Sequence, residues 1–136
     1  MNVIIDTNII FSLLLKKNHP FLNHIILSEL NFYSVNEIFI EIYKYKEKIN
    51  KNTKLLDTDI IDILNKILNN IILFNSSFIS IDSRKKAYDL CKDVDPKDIP
   101  FVALTIELEG KLWTGDIKLK NGLNKLGFNR FYYIKD

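Results

Sequence analysis

The chain contains 136 residues, 47% of them hydrophobic, which suffices for one domain with a buried core and is short for two. We therefore expect a single domain over residues 1–136. Nineteen Lys and Arg against seventeen Asp and Glu give a net charge of +2, which by itself indicates neither a tail that coats nucleic acid nor a membrane-binding surface.

In the first half of the chain, short aliphatic or aromatic runs alternate with segments of helical periodicity. The run at 2–5 is typical of a strand buried on both faces, and helical spacing of apolar residues begins directly after it. The predicted elements are a strand at 2–5, helices at 9–14 and 21–27, a strand at 31–35, helices at 36–50 and 56–73, and a short strand at 72–74.

The second half repeats this alternation. A helix is predicted at 83–92, and the Asp-rich stretch DVDPKDIP leads into another at 99–108, which Gly110 ends. A strand at 111–114, a helix through Leu119 and Leu123, and a last strand at 131–134 follow. Because parallel neighbours need crossover connections, we expect a three-layer α/β fold with a central parallel sheet of about five strands flanked by helices.

The apolar stretch at 9–15 lacks the features of a signal peptide. No basic segment precedes it, Asp6 does, and no small-residue cleavage site follows it. No segment approaches the roughly 20 apolar residues that a membrane-spanning helix needs. The single cysteine, Cys91, cannot form an intramolecular disulfide and suggests a reducing compartment. These features favour a cytoplasmic protein with no membrane partner.

Four acidic residues from separate segments are expected at one end of the predicted sheet. Asp6 follows the first strand, Asp116 follows the fourth, Asp98 begins a helix after a turn, and Glu41 lies in the helix after the second strand. In an open parallel sheet, ligands bind beyond the carboxyl ends of the strands. The four carboxylates could therefore converge on one ligand site.

Helix capping is the simpler explanation for each acid alone. Asp6, Asp98 and Asp116 could each cap a helix, and Asp95 with Asp98 resembles an acidic capping box. Glu41 could be a solvated residue on a lysine-rich face. Capping does not predict four acids at the same end of one sheet.

Carboxylates that converge repel one another and cannot all stay ionised unless a cation lies among them. A ligand set made only of oxygen atoms suits Mg²⁺ or Mn²⁺. The sequence offers no competing metal site of the His and Cys type, because His19 and His24 lie five residues apart and Cys91 stands alone.

Four short segments carry a specific combination of motifs around these acids. They are VIIDTNII, SVNEIFIEIYKY, DVDPKDIPFVALTIELEG and KLWTGDIKL, in this order over residues 3–119. In this combination the sequence resembles the PIN domain family of metal-dependent ribonucleases. The DxxDxPFxAL pattern with WTGD and an N-terminal DTN is fairly specific, whereas each piece alone is weak.

The resemblance implies a PIN fold and an acidic pocket that holds one or two Mg²⁺ or Mn²⁺ ions. Its implied metal ligands and catalytic residues are Asp6, Glu41, Asp98 and Asp116. The supporting polar positions around them are Asn8 and Thr114, with Asp95 and Asp93 as outer acids. Glu37 is the alternative to Glu41 as the metal-binding acid of the segment SVNEIFIEIYKY. Glu41 is preferred because the family's Glu precedes a basic, aromatic helix like IYKYKEKI.

Basic residues are the expected contacts for an RNA substrate. If metal neutralises four acids, 17 − 4 = 13 acids remain against 19 bases, and the surface is clearly positive. The first cluster follows Glu41 and comprises Lys44, Lys46, Lys48, Lys51 and Lys54; the second comprises Arg84, Lys85 and Lys86. Either cluster could instead be ordinary solvated helix surface.

Two other functions are compatible with parts of this pattern. A phosphoacceptor receiver domain has a similar length and an acidic Mg²⁺ pocket, but it expects adjacent acids after its first strand, where this chain has one. A PIN scaffold that binds RNA or protein without cleavage would not need all four acids. By analogy with small free-standing PIN domains, we expect the toxin of a toxin-antitoxin pair, with RNA, an antitoxin and a second copy of the chain as possible partners.

Overall fold

The computed structural model describes residues 1–134, so the last two residues of the expected domain lie outside the described residues. Its strands are β1 (Asn2–Ile5), β2 (Asn31–Val35), β3 (Ile72–Phe74) and β4 (Lys111–Trp113). Its helices are α1 (Thr7–Leu13), α2 (Pro20–Leu27), α3 (Glu37–Lys44), α4 (Lys46–Asn52), α5 (Asp57–Asn70), α6 (Ile81–Cys91), α7 (Ile99–Glu107) and α8 (Ile117–Lys125). Short 3₁₀ turns cover Ser76–Phe78 and Pro96–Asp98.

The four strands form one parallel sheet in the order β3-β2-β1-β4. All strands run the same way because every connection between them contains at least one helix. In the central strand β1, the successive residues Val3, Ile4 and Ile5 are all fully buried. Successive side chains point to opposite faces of a strand, so both faces of the sheet are covered. The expected α/β architecture with a parallel sheet between helices is confirmed.

The predicted fifth strand at 131–134 is reduced to a single bridge. Phe131 pairs in parallel with Leu112, and the Tyr132 N–H donates to the Leu112 carbonyl at 2.8 Å. Because β4 spans only three residues, it offers little backbone for longer pairing. The segment nevertheless brings the Tyr132 ring against Trp113, with ring centroids 5.5 Å apart.

The helix predicted at 36–50 is two helices, α3 and α4, which meet at Tyr45. The backbone of Tyr45 leaves the helical region, with φ −105° and ψ 15°, and its ring packs edge-on against Phe11 at 6.0 Å. The helix predicted at 56–73 ends at Asn70, because Ile71 is extended and leads into β3. Helix α6 begins two residues earlier than predicted, since the Ser80 hydroxyl accepts from the Ser83 N–H and caps it.

In the part of the chain that the structure describes, no helix combines the length and the apolar character needed to cross a membrane.

Candidate metal centre

The sheet order places a crevice between β1 and β4. Strands β2 and β3 lie on one side of β1 and β4 lies on the other, so the direction of sheet growth reverses there. Ligands of open α/β sheets bind at such a reversal, beyond the carboxyl ends of the strands. Asp6 directly follows β1 at this point, and its N–H donates to the Trp113 carbonyl at 3.0 Å. Thr114 follows β4 directly.

A small acidic pocket of about 140 Å³ opens at this crevice. It is lined by Asp6, Thr7, Asn8, Phe11, Glu41, Asp95, Lys97, Asp98 and Asp116. The structure thus brings together all four acids expected as ligands, with Asn8 and Asp95 beside them. Single carboxylate oxygens of Asp95, Asp98 and Asp116 lie within 4.8 Å of one another. Carboxylate oxygens this close to one another could hold a metal ion.

The Thr114 hydroxyl connects the two strand ends. It donates to Asp6 Oδ2 at 2.7 Å and accepts from the Asp116 N–H at 3.1 Å and from Asn8 Nδ2 at 3.3 Å. Asn8 Oδ1 in turn accepts from the Gly115 N–H at 3.2 Å. A hydroxyl has one donor and two acceptor positions, and all of them are used here. Thr114 and Asn8 therefore orient the acids that follow β1 and β4.

Capping explains two of the acids but not Asp98. Asp6 Oδ1 accepts from the Thr7 N–H at 2.6 Å, and Asp116 Oδ1 accepts from the Leu119 N–H at 3.0 Å. Both side chains cap a helix and also line the pocket. Asp98 precedes α7 but makes no side-chain capping bond. The acidic capping box that Asp95 and Asp98 resemble in the sequence, given above as the simpler alternative, is not formed in the described part of the chain, where Asp95 accepts from the Lys97 N–H at 3.1 Å.

Asp98 is the most unusual carboxyl group of the pocket. Its side chain is buried, and within residues 1–134 its Oδ2 atom has no hydrogen-bond partner. Burial, and then the charges of Asp6 and Asp95, raise the pKa of Asp98 to about 8. Burial also raises the pKa of Asp6 to about 6, although its bonds from Thr114 and Thr7 act in the opposite direction.

A divalent cation fits this donor set. An orphaned, buried carboxylate oxygen costs free energy unless a proton or a cation satisfies it. The donors are all oxygen atoms, which Mg²⁺ and Mn²⁺ prefer. No His or Cys lines the acidic pocket in the described part of the chain.

The geometry favours Glu41 over Glu37 as the acid from α3. Glu41 lines the acidic pocket, and its charge contributes to the raised pKa values of both Asp6 and Asp98. Glu37 lies outside that lining and accepts a hydrogen bond from the Ser76 hydroxyl. It faces a neighbouring cavity of about 310 Å³, which Glu41 also borders.

Sequence reasoning missed Lys97 and Thr7. Lys97 lines both the acidic pocket and the neighbouring cavity, and its position between Asp95 and Asp98 was the available signal. The Thr7 hydroxyl is buried without a partner in the described region, directly after Asp6. Asp93, expected as an outer acid, lies instead in a depression beside α8.

The two basic clusters lie at different distances from the acids. Lys44 lines the neighbouring cavity of about 310 Å³. Glu41 lines both this cavity and the acidic pocket. Lys46 and Lys48 are exposed on α4, where the Lys46 ammonium lies 4.3 Å from the centre of the Tyr43 ring.

The second cluster, Arg84, Lys85 and Lys86, lies near the start of α6. The Ser83 hydroxyl there contacts Glu107 at the C-terminal end of α7, whereas Asp98 precedes the N-terminal end of α7. This cluster is therefore nearly the full length of α7 away from the acids. Lys86 is also paired with Asp82 at 3.1 Å.

Comparison with models of known protein families identifies the family to which the chain belongs. A family model for the PIN domain matches residues 4–131, so the chain belongs to the PIN domain family. Members of this family are generally nucleases that depend on divalent metal ions. The match confirms the resemblance seen in the motifs and excludes the receiver-domain alternative. A search of curated proteins found no match.

Proposed function

We propose that this PIN domain is an Mg²⁺- or Mn²⁺-dependent endoribonuclease. The observation that carries the proposal is the convergence of Asp6, Glu41, Asp95, Asp98 and Asp116 on one pocket at the carboxyl end of the sheet. Within residues 1–134 the buried Oδ2 atom of Asp98 has no hydrogen-bond partner, and a cation in the pocket would satisfy it.

The chain's own residues would hold the cation and align the substrate. A bound divalent cation supplies Lewis acidity that activates water and stabilises charge on phosphoryl oxygens. Asp95, Asp98 and Asp116 are close enough to one another to hold one ion. The Thr114 hydroxyl donates a hydrogen bond to Asp6 Oδ2, and this bond fixes the orientation of the Asp6 carboxylate.

Two lysines next to the acids are suited to phosphate groups. Lys97 lines the acidic pocket, and Lys44 borders the cavity beside it. Lysine contacts to phosphate position a nucleic acid without reading its sequence. An RNA backbone that passes over the pocket could therefore be held at both points.

The biological role that we propose is the toxin of a toxin-antitoxin pair. The support is analogy with small free-standing PIN domains, and it comes from the family rather than from a contact in this molecule. An antitoxin protein and a second copy of the chain are the partners that this role implies.

The decisive experiment is the variant Asp6→Asn. Asparagine can accept the Thr7 N–H as aspartate does, so the cap on α1 is kept while one charge is lost. We expect cleavage of single-stranded RNA to be abolished. We also expect the metal-free fold to be more stable, because one of several repelling carboxylates is removed, and the stabilisation by Mg²⁺ to shrink.

Asp89→Asn is the matched control, since Asp89 is exposed on α6 and lies outside the pocket. Melting curves in EDTA and in excess Mg²⁺, with RNA cleavage assays, compare both variants with the wild type. An Asp6→Asn protein that cleaves RNA and keeps the wild-type response to Mg²⁺ contradicts the proposal. Undiminished cleavage by the wild type in EDTA contradicts it as well.

A further inference from the structure

A second, larger cavity of about 840 Å³ lies beside the acidic pocket. Helix α2, the end of β4, helix α8 and the segment after Phe131 each contribute to its wall. Its lining is rich in rings, which are those of Phe21, His24, Trp113, Tyr132 and Tyr133. The volume is within the range of small-molecule sites, roughly 300 to 1,000 Å³.

Trp113 is the centre of this aromatic wall. Its ring centroid lies 5.2 Å from that of Phe21, 5.5 Å from that of Tyr132 and 5.9 Å from that of His24. His24 Nε2 and the Tyr132 hydroxyl are hydrogen-bonded at 2.5 Å, so the wall also carries polar atoms. Tyr133 is 60% exposed and stands at the rim. Trp113 itself is only 4% exposed, so the ring surface that a ligand can reach comes from the less buried Phe21, Tyr132 and Tyr133.

The cavity and the acidic pocket share a wall. Thr114 and Gly115 line the cavity, and the Thr114 hydroxyl donates to Asp6 in the acidic pocket. In helix α1, which follows β1, Ile9 lines the cavity and its neighbour Asn8 lines the acidic pocket. A ligand group in the cavity would thus be adjacent to a phosphate held over the carboxylates.

The charge of the cavity suits an anionic ligand. Its lining contains no Asp or Glu among the described residues, and its one lysine is Lys120. Lys120 lies one helical turn after Asp116 on α8. Its ammonium is 4.6 Å from the centre of the Tyr133 ring, so a cation and a ring face lie together at the rim.

We propose that this cavity binds an unpaired base of the RNA, next to the phosphate that is cleaved. The base stacks on the aromatic wall, and a flanking phosphate lies near Lys120. Unpaired bases bind proteins in this way, by stacking on aromatic side chains beside a positive charge. This inference rests on the proposed nuclease function, for which it names a base-binding site. An apolar peptide could use the same rings, but the lysine and the shared wall favour a nucleotide.

Trp113 provides a direct test, because it is the only tryptophan of the chain. Its fluorescence is measured in EDTA during titration with a short single-stranded oligoribonucleotide and with an abasic oligomer of the same length. We expect the base-bearing oligomer to change the fluorescence and the abasic one to leave it unchanged. Tyr133→Ala and Lys120→Met are expected to raise the Kd, Tyr133→Ala by roughly 5- to 150-fold if one stacking partner is lost.

The matched controls are Tyr88→Ala and Lys125→Met. Tyr88 is an exposed tyrosine on α6 and Lys125 an exposed lysine on α8, and neither lines the cavity. Both variants should bind like the wild type. The proposal is overturned if abasic and base-bearing oligomers act alike, or if Tyr133→Ala binds the oligoribonucleotide as tightly as the wild type.

The outcomes separate this proposal from the nuclease function. The measurement in EDTA does not depend on cleavage. Base-dependent binding without cleavage in Mg²⁺ or Mn²⁺ would support the base site and contradict the nuclease. Cleavage without base-dependent binding would support the nuclease and overturn the base site.

Discussion

Asp98 differs from the three other aspartates of the pocket in capping no helix or turn. Asp6, Asp95 and Asp116 each accept a backbone N–H at a helix or turn start, and these bonds pay part of the cost of burying charge. Asp98 accepts no such bond from α7, and its Oδ2 has no partner in the described region. Its protonation state is therefore set by burial and by its acidic neighbours.

Asp98 should make the stability of the metal-free protein depend on pH. Its pKa is about 8 in the fold, against an ordinary value of 3.8. Between these pH values the folded protein keeps a proton that the unfolded chain has lost. The free energy of unfolding therefore falls as the pH rises through this range and is level above it. Asp6, with a pKa of about 6, contributes to this fall only between about pH 4 and pH 6.

In EDTA, Asp98→Asn should raise the free energy of unfolding near pH 8 and flatten its fall between about pH 6 and 8. Urea denaturation across this range measures the effect, and Asp89→Asn again serves as the control. A variant that loses stability with pH as steeply as the wild type would show that Asp98 is not the titrating group.

The strand pattern predicted the acids that follow β1 and β4, whereas the supporting residues Asn8 and Thr114 were predicted only through the family resemblance, and their hydrogen bonds were not predicted. Asp6 and Asp116 follow aliphatic or aromatic runs, and parallel strands bring their carboxyl ends together. The three hydrogen bonds of the Thr114 hydroxyl depend on the β1–β4 register, which one sequence does not encode in its periodicity. The position of Lys97 likewise depends on the 3₁₀ turn before α7.

At the scale of elements, strands β1 to β4 and helix α7 were predicted within one residue of their observed bounds, because apolar residues dominate each of these segments. Two of the errors lie where a tertiary contact overrides a local pattern. Tyr45 leaves the helical conformation at its contact with Phe11, although the apolar spacing continues through it. The aromatic run after Arg130 was predicted as a fifth strand. Its Tyr132 ring packs on Trp113, and the run adds only one bridge to the sheet.

The turn between α7 and β4 requires a residue without a side chain. A Cβ atom on Gly110 would lie 2.6 Å from the Asn2 carbonyl oxygen and 2.7 Å from Ile4 Cδ1. Gly110→Ala must therefore move the central strand β1 or the turn, and we expect a loss of about 1 to 3 kcal/mol in the free energy of unfolding.

Gly115→Ala is the matched control for this prediction. A Cβ atom there would meet only Asn8 Oδ1 at 3.8 Å and Ile9 Cδ1 at 3.9 Å, which are ordinary contact distances. Its stability should be close to that of the wild type. Urea melts compare the two variants, and equal midpoints would mean that the chain relaxes around Gly110 at no cost.

At the scale of the whole molecule, charge placement matters more than net charge. The formal charge is only +2, yet five of the seventeen acids line one pocket of about 140 Å³. Cation binding there would leave the rest of the surface with an excess of bases. Composition alone could not reveal this, because it does not report which acids meet in space.

The path of RNA over this surface can be read from the salt dependence of binding. Each lysine that contacts a phosphate of single-stranded RNA adds about 0.7 to the slope of log K against log salt. Lys44 borders the cavity beside the acids, whereas Lys85 lies near the start of α6, toward the far end of α7. We expect Lys44→Met to flatten the slope by about that amount and Lys85→Met to leave it unchanged, with binding measured in EDTA so that no cleavage intervenes. The opposite result would place the RNA along α6 and away from the carboxylates, and a nuclease that binds its substrate there could not cleave it at this pocket.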